Sequence, residues 1–237
     1  LQISSRGFGA RATFGVRGVR LYADGIPATM PDGQGQLSHF ALAAGDRIEV
    51  MRGPFSALYG NSSGGVVQLW SLDGSDPTRT SLPPTPARPA SSAARPRVRA
   101  VAAGTGSHLA ASLFDTGGYR EHSAARRESA NLKLHRDFAG GGRLEVVGNH
   151  FRAPDAQDPL GLTWAQARAN PRQATAAALQ FDTRKSAGQD QLGASWQQPL
   201  GGAWQWRLAG YGGTRTVVQY LSVPVAAQAS PHSAGGV

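Results

Sequence analysis

Cysteine is absent from this chain, so neither a disulfide framework nor a thiolate metal site can hold it together. That removes two devices without assigning a compartment. Charge is sparse as well, at 16% of residues, and no apolar run approaches the roughly 20 residues that a spanning helix needs. If the chain crosses a membrane, it must do so with strands closed into a barrel. What the sequence has in quantity is turn chemistry: Gly 31 and Pro 15 within 237 residues favour many short strands over long helices. A chain of this length can bury a real core in one or two domains. Leu1-Gln2-Ile3-Ser4 lacks the basic and apolar regions of a signal peptide. The chain reads as beginning inside a motif and ending in a loop that enters another strand, so a fragment is expected.

The densest local information lies in Asp46-Arg47-Ile48-Glu49-Val50-Met51-Arg52-Gly53-Pro54-Phe55-Ser56-Ala57-Leu58-Tyr59-Gly60, followed by Gly64-Gly65-Val66-Val67. Ile48, Val50 and Arg52 share one face of a strand, with the aliphatic pair expected to be buried and the guanidinium to end the row. Gly53-Pro54 stops that strand, because proline has no ladder donor. Phe55, Leu58 and Tyr59 recur at helical spacing, and Gly60 supplies a C-terminal stop. A further strand is expected over Val66-Val67-Gln68-Leu69-Trp70. Upstream, Ser5-Arg6-Gly7-Phe8-Gly9 leads into a strand expected over residues 16–22, broken by the turn Asp24-Gly25-Ile26-Pro27.

Taken together, the Arg-Gly-Phe element, the Asp-Gly-x-Pro turn and the Arg-Ile-Glu-Val-x-Arg-Gly-Pro to Gly-Gly-Val run resemble the plug domain of TonB-dependent outer-membrane receptors. Several spaced motifs in the right order are much harder to meet by chance than any one of them. The resemblance covers residues 3–70 and implies a mixed fold, a small α/β plug sheet followed by antiparallel strands of an incomplete transmembrane β-barrel. It further implies uptake of a scarce nutrient, foremost a ferric siderophore, at the cell outer membrane. The implied partners are a TonB-type energy-transducing protein, whose binding segment is not in this sequence, and outer-membrane lipid. Organised this way, residues 1–72 are plug, 73–96 a low-complexity linker or aberrant segment, and 97–237 partial barrel.

Residues 73–96 are rich in Pro, Ser, Thr, Ala and Arg, with almost no apolar alternation, and are expected to be disordered or loosely draped. The resembled family normally places its first barrel hairpin there. A local reading-frame error in a GC-rich gene and a natural linker are both open explanations, which resequencing would separate.

Alternation returns beyond residue 97. Leu109, Ala111 and Leu113 oppose His108, Ala110 and Ser112, and Ala130, Leu132, Leu134 and Phe138 oppose Asn131, Lys133 and His135, with Arg136 breaking the apolar row. Leu192, Ala194 and Trp196 precede the turn at Pro199-Leu200-Gly201-Gly202, and Trp204, Trp206 and Leu208 follow it. Three tryptophans beside one turn suit an aromatic girdle at a lipid interface. A soluble sandwich with a tryptophan core is the competing architecture, since alternation is common to both. The connections at Gly140 to Gly142 and Pro199 to Gly202 are short and those over residues 117–126 and 153–185 long, the asymmetry of outer-membrane barrels whose long loops face outside. Within the longest loop, residues 163–169 form a candidate helix ended by Asn170-Pro171. About half a dozen wall strands are legible, whereas plugged transporters use about 22, so this piece alone cannot close a barrel.

Candidate functional residues fall in two groups. The resemblance places Pro27-Ala28-Thr29-Met30-Pro31-Asp32-Gly33-Gln34-Gly35-Gln36 at a plug apex facing the ligand, which nominates Met30, Asp32, Gln34 and Gln36 as ligand contacts; an ordinary surface loop is the plain alternative. It also implies that Arg6 and Arg52 pair with glutamates of the barrel wall. A solvated strand-end arginine is the alternative for Arg52.

Enzymatic constellations are missing from the sequence. Gly7-Phe8-Gly9-Ala10-Arg11-Ala12 nominally fits a dinucleotide fingerprint but lacks the strand-loop-helix setting. The six histidines are scattered without metal-site spacing, and nothing calls for a cofactor or a bound metal. The +9 net charge raises nucleic acid as a competing partner. The arginines are dispersed along strands and turns with no basic helix or stacking platform, which argues against it. A passive barrel or an inactive gene remnant is the remaining alternative.

Overall fold

The computed structural model describes residues 3–5, 7–8, 15–30, 33–37, 40–42, 44–53, 56–60, 63–74, 79–81, 91–94, 97–102, 105–224 and 232–236. They form two sheets. The first is four-stranded, in the order β2-β1-β4-β3, from β1 (Arg20–Ala23), β2 (Ile26–Pro27), β3 (Gly45–Met51) and β4 (Val66–Ser71). β1 runs parallel to β4, and β2 and β3 pair antiparallel to their neighbours. The connection from β3 to β4 carries the one-turn helix α1 (Ser56–Tyr59).

The sequence motifs position these elements for identifiable reasons. β4 is central, so its residues from Val66 to Leu69 are all buried, as expected for a strand covered on both faces. Val16, Val19, Leu21, Ala28, Phe40, Val67 and Leu69 form the core of this unit. The strand expected over 16–22 is shorter in the structure, beginning at Arg20. Gly18 has φ +76° and its carbonyl accepts from Gly64 N–H, so the chain bends there instead of pairing. Val16 instead makes an isolated bridge to Gly35. A second correction concerns β3. Ile48 and Val50 are 54% and 60% exposed rather than buried: they stand opposite the core residues Leu69 and Val67, but β3 is the edge strand and the core does not extend over it among the described residues. On β3 the Arg47 guanidinium lies 4.9 Å over the Trp70 ring and 2.9 Å from Glu49.

The second sheet is antiparallel throughout, with the order β13-β12-β11-β10-β9-β8-β7-β5 and β6 also paired to β8. Its strands are β5 (Arg79–Ser81), β6 (Ser91–Ala94), β7 (Arg97–Ala102), β8 (Thr105–Thr116), β9 (Ala125–Asp137), β10 (Arg143–Gln157), β11 (Arg184–Gly201), β12 (Trp204–Tyr220) and β13 (His232–Gly236). The sheet is not closed on itself. The tract expected to lack order contains β5 and β6, while its residues 75–78, 82–90 and 95–96 lie outside those described. Among the described residues no helix is long and apolar enough to cross a membrane.

One face of this wall is apolar and the other polar, with the alternation read from the sequence. Leu109, Leu132, Leu192 and Leu208 are exposed on the outer face, while His108, Asn131, Lys133, Gln189, Ser195 and Arg215 are buried on the inner one. The inner residues are buried because the first sheet sits against them. Pro199 is tolerated near the end of β11 because the register shifts between Pro199 and Gly201. β10 runs on to Gln157, into the stretch expected as loop from residue 153, and β12 extends to Tyr220.

Short and long connections alternate. Residues 138–142 and 202–203 turn at one end of the wall, and residues 117–124 and 158–183 cross at the other. The longest loop holds α2 (Trp164–Ala169), with the expected Thr163 start, a capping box with Gln166 and Asn170 at its end. It also holds α3 (Ala176–Phe181), which the sequence reading missed. Arg120 ties the two loops together by donating to the carbonyls of Pro159, Leu160 and Gln173.

Candidate functional site

The loop after β2 is built by backbone closure. Ala28 N–H donates to the Leu21 carbonyl, and Leu21 N–H donates to Thr29 Oγ1 at 2.8 Å. Met30 N–H then donates to the Gln34 carbonyl, and Gly33 N–H to the Met30 carbonyl, making a tight turn at the tip. Only glycine fits at position 35, where a Cβ would sit 2.6 Å from Leu21 Cδ1.

The wall holds this loop from the side. Arg215 of β12 is buried and donates through Nη2 to the Ala28 carbonyl at 2.9 Å, through Nη1 to the Gln34 carbonyl at 3.1 Å and through Nε to Gln189 Oε1 at 2.9 Å. Gln191 Nε2 donates to the Pro27 carbonyl at 2.7 Å. A planar guanidinium fork suits this task, because it satisfies two carbonyls of one loop and a wall amide at once.

A second junction lies closer to the short-turn end. Lys133 of β9 is 5% exposed, and its Nζ lies 3.2 Å from Asp24 Oδ1, 2.8 Å from Asp73 Oδ1 and 3.6 Å from Glu145 Oε2. It also donates to the Ser71 carbonyl at 3.4 Å. Asp24, 2% exposed, accepts from Ser71 N–H and Ser71 Oγ, each at 2.8 Å, so both of its oxygens are engaged. Arg143 reaches Asp73 at 3.2 Å. This latch joins the C-terminal ends of the parallel strands β1 and β4 to the wall through one ammonium.

The Lys133 ammonium and the neighbouring Arg143 hold the Asp73 carboxyl below the usual carboxylate range; partial burial, the largest single influence, pushes the other way and is outweighed by their sum. Its folded value is therefore below its unfolded one. The stabilisation is complete above the ordinary carboxylate range and is lost as pH falls through the lower folded value. Acidification should raise amide hydrogen exchange in β1 and β2, and Asp73→Asn should remove Asp73's share of that acid-dependent step.

The two junctions orient the plug. Lys133 is four residues from Asp137, the turn end of β9, whereas Gln189 is five residues from Arg184, the loop end of β11. The tip formed by Met30 and Gln34 therefore points towards the end of the wall that carries the long loops.

Of the residues nominated from sequence, Met30 and Gln34 sit half-buried on this tip. Gln36 is placed differently, at 8% exposure inside the plug, with an Nε2 that has no hydrogen-bond partner among the described residues. Asp32 and Arg6 lie outside the described residues, and Arg52 is exposed just after β3. The hydrogen bonds and ion pairs from plug to wall among the described residues include those of Asp24, Pro27, Ala28, Gln34, Ser71 and Asp73. The sequence carried one signal for this, since Lys133 is one of only two lysines and stands on the polar face of an alternating strand. Nothing local named its partners. Among the described residues no cluster of His, Asp and Glu is arranged to hold a metal.

Residues 1–67 match the TonB-dependent Receptor Plug Domain family. The fold is similar to that of the siderophore receptor PirA from Acinetobacter baumannii, with TM-score 0.62, 17% identity, and coverage of 91% of this chain and 34% of that one. It is also similar to BauA, the ferric preacinetobactin receptor from Acinetobacter baumannii, with TM-score 0.62, 13% identity, and coverage of 84% and 30%. The siderophore receptor PirA from Pseudomonas aeruginosa gives TM-score 0.59, 14% identity, and coverage of 86% and 34%. At these identities the likeness is one of fold. The chain spans about a third of the length of these receptors.

Proposed function

We propose, for a chain whose residues 1–67 belong to the TonB-dependent receptor plug family, a role in energised uptake of a ferric siderophore across the outer membrane. Members of this family are transporters and not enzymes. The observation that carries the reading is the seating of a plug-family unit against the polar face of an antiparallel wall whose other face is apolar. That arrangement is what a stopper inside a lipid-embedded barrel requires, since the wall must offer hydrocarbon outside and hydrogen bonds inside. Fold likeness to the siderophore receptor PirA and to the ferric preacinetobactin receptor BauA supports the ligand class.

In this reading the tip with Met30, Asp32 and Gln34 meets the ligand from below, and the loops joined by Arg120 meet it from above. Arg6 and Arg52 pair with wall carboxylates outside this chain, adding to the contacts made by Lys133 and Arg215. A TonB-type protein supplies the energy that shifts the plug.

Uptake of radiolabelled iron presented as siderophore chelates tests this in cells carrying the full-length receptor. Uptake is expected with the TonB-type protein present and is expected to vanish without it; uptake independent of that protein refutes the energised mechanism. Replacing Asp32 and Gln34 together by alanine should weaken chelate binding by roughly tenfold, about 1.4 kcal/mol. Unchanged affinity removes both as contacts.

A further inference from the structure

One well-formed cavity lies away from the plug side of the wall. It is an open furrow of about 480 Å³ on the outer face, floored by Gly148 and Gly212 and walled by Leu109, Leu132 and Leu192. These residues occupy one register row across β8 to β12, where larger side chains would fill the space. The gap is real room for an occupant: a Cβ on Gly148 would meet only Leu132 and Leu192, at 3.9 Å, and one on Gly212 would meet nothing within 4 Å.

The position of the furrow along the wall identifies what fills it. On β12 the outward row starts at Trp204 and turns polar at Thr214, ten residues or about 33 Å on, which at a tilt near 45° is about 23 Å in height. The apolar band of an outer-membrane wall is about 25 Å tall, so the row of Thr214, Asp190 and His150 marks its outer edge. The furrow lies one row below that edge. Above it charged side chains stand among Leu113, Thr216 and Val218 on the outward face, and most of the charges are compensated: His150 Nδ1 lies 2.6 Å from Asp190 Oδ1, and Arg126 lies 2.9 Å from Glu128. Arg152 is exposed on the same face, without an ion-pair partner among the described residues. It stands four residues from Gly148, or about 13 Å along the strand.

We infer that this furrow and Arg152 form a binding site for one anionic, phosphate-bearing lipid, whose acyl chain lies over Gly148 while its phosphate meets the Arg152 guanidinium. The inference rests on the wall spanning a bilayer as proposed above. Specificity comes from the headgroup, because acyl chains alone gain little by exchanging one hydrocarbon surface for another. The glycines supply shape, and the arginine supplies the preference for charge.

The test uses the full-length receptor in bilayer discs of brominated phosphatidylglycerol or brominated phosphatidylcholine, followed by extraction and native mass spectrometry. Phosphatidylglycerol is expected to be retained at least fivefold better than phosphatidylcholine, the factor corresponding to about 1 kcal/mol for one arginine near an anionic headgroup. Arg152→Gln should abolish that preference, and Gly148→Leu should abolish retention while leaving the fold intact, since Gly148 is open and not left-handed. Equal retention of both lipids, or retention untouched by Gly148→Leu, overturns the site. Quenching of Trp204, which is 78% exposed on the outer face, by the bromines distinguishes the lipid site from the membrane-spanning wall. Quenching without headgroup preference refutes only the lipid site, whereas no quenching in either lipid refutes the membrane-spanning wall as well.

Discussion

Replacing Lys133 by methionine is expected to destabilise the seat of the plug on the wall by about 3–5 kcal/mol, the cost of removing one partner from a buried ion pair. Asp24 is almost wholly buried and would lose the ammonium 3.2 Å from it, while the neighbouring wall cation, Arg143, is engaged with Asp73 and Glu145. Its two hydrogen bonds from Ser71 stabilise the charge but do not neutralise it. Hydrogen exchange should accelerate over β1, β2 and the end of β4, with much smaller change in β11 and β12. The double variant Lys133→Met with Asp24→Asn should recover part of the loss, because the stranded charge is then gone. A single Lys133→Met variant whose plug exchanges like the unmodified protein would show that the ammonium is not a latch.

Arg215→Met should release the ligand-facing tip at a cost of about 3 kcal/mol, since charge-assisted hydrogen bonds contribute roughly 1.5–3 kcal/mol each and two loop carbonyls lose their donor together. The affected amides are those of Met30, Gly33 and Gly35, whose turn is braced by these carbonyls. Lysine at position 215 should rescue only partly, because a single ammonium cannot reproduce the guanidinium fork towards Ala28, Gln34 and Gln189. Chelate affinity should fall with the order of the loop. Faster exchange with undiminished affinity would separate the anchoring of the tip from ligand recognition.

Strands β8 to β12 were legible because their signal is local: alternation has a period of two, and each run ends in glycine or proline. The helix α2 was legible for the same reason, with Thr163 at its start and Asn170-Pro171 at its end. α3 was missed because its Thr175 start and Asp182 stop, the latter in a left-handed conformation, bracket an alanine-rich stretch with little amphipathic contrast. Periodicity puts Ile48 and Val50 on one face but does not show that their strand lies at the edge of the sheet, where the core covering their partners Leu69 and Val67 ends. Gln36 was placed with the ligand contacts because its loop is polar, yet the bridge between Val16 and Gly35 turns it inward.

The amino-acid sequence by itself determined the plug-type motif run and a wall with one apolar and one polar face, since both are written within spans of a few tens of residues. Tertiary structure alone decided how plug and wall are joined. Asp24 and Lys133 are 109 positions apart, and Ala28 and Arg215 are 187 apart. No local pattern links residues at such separations, because a buried charge is stabilised by whatever partner folding brings within about 3 Å of it, and that partner is chosen by register and packing rather than by neighbouring sequence.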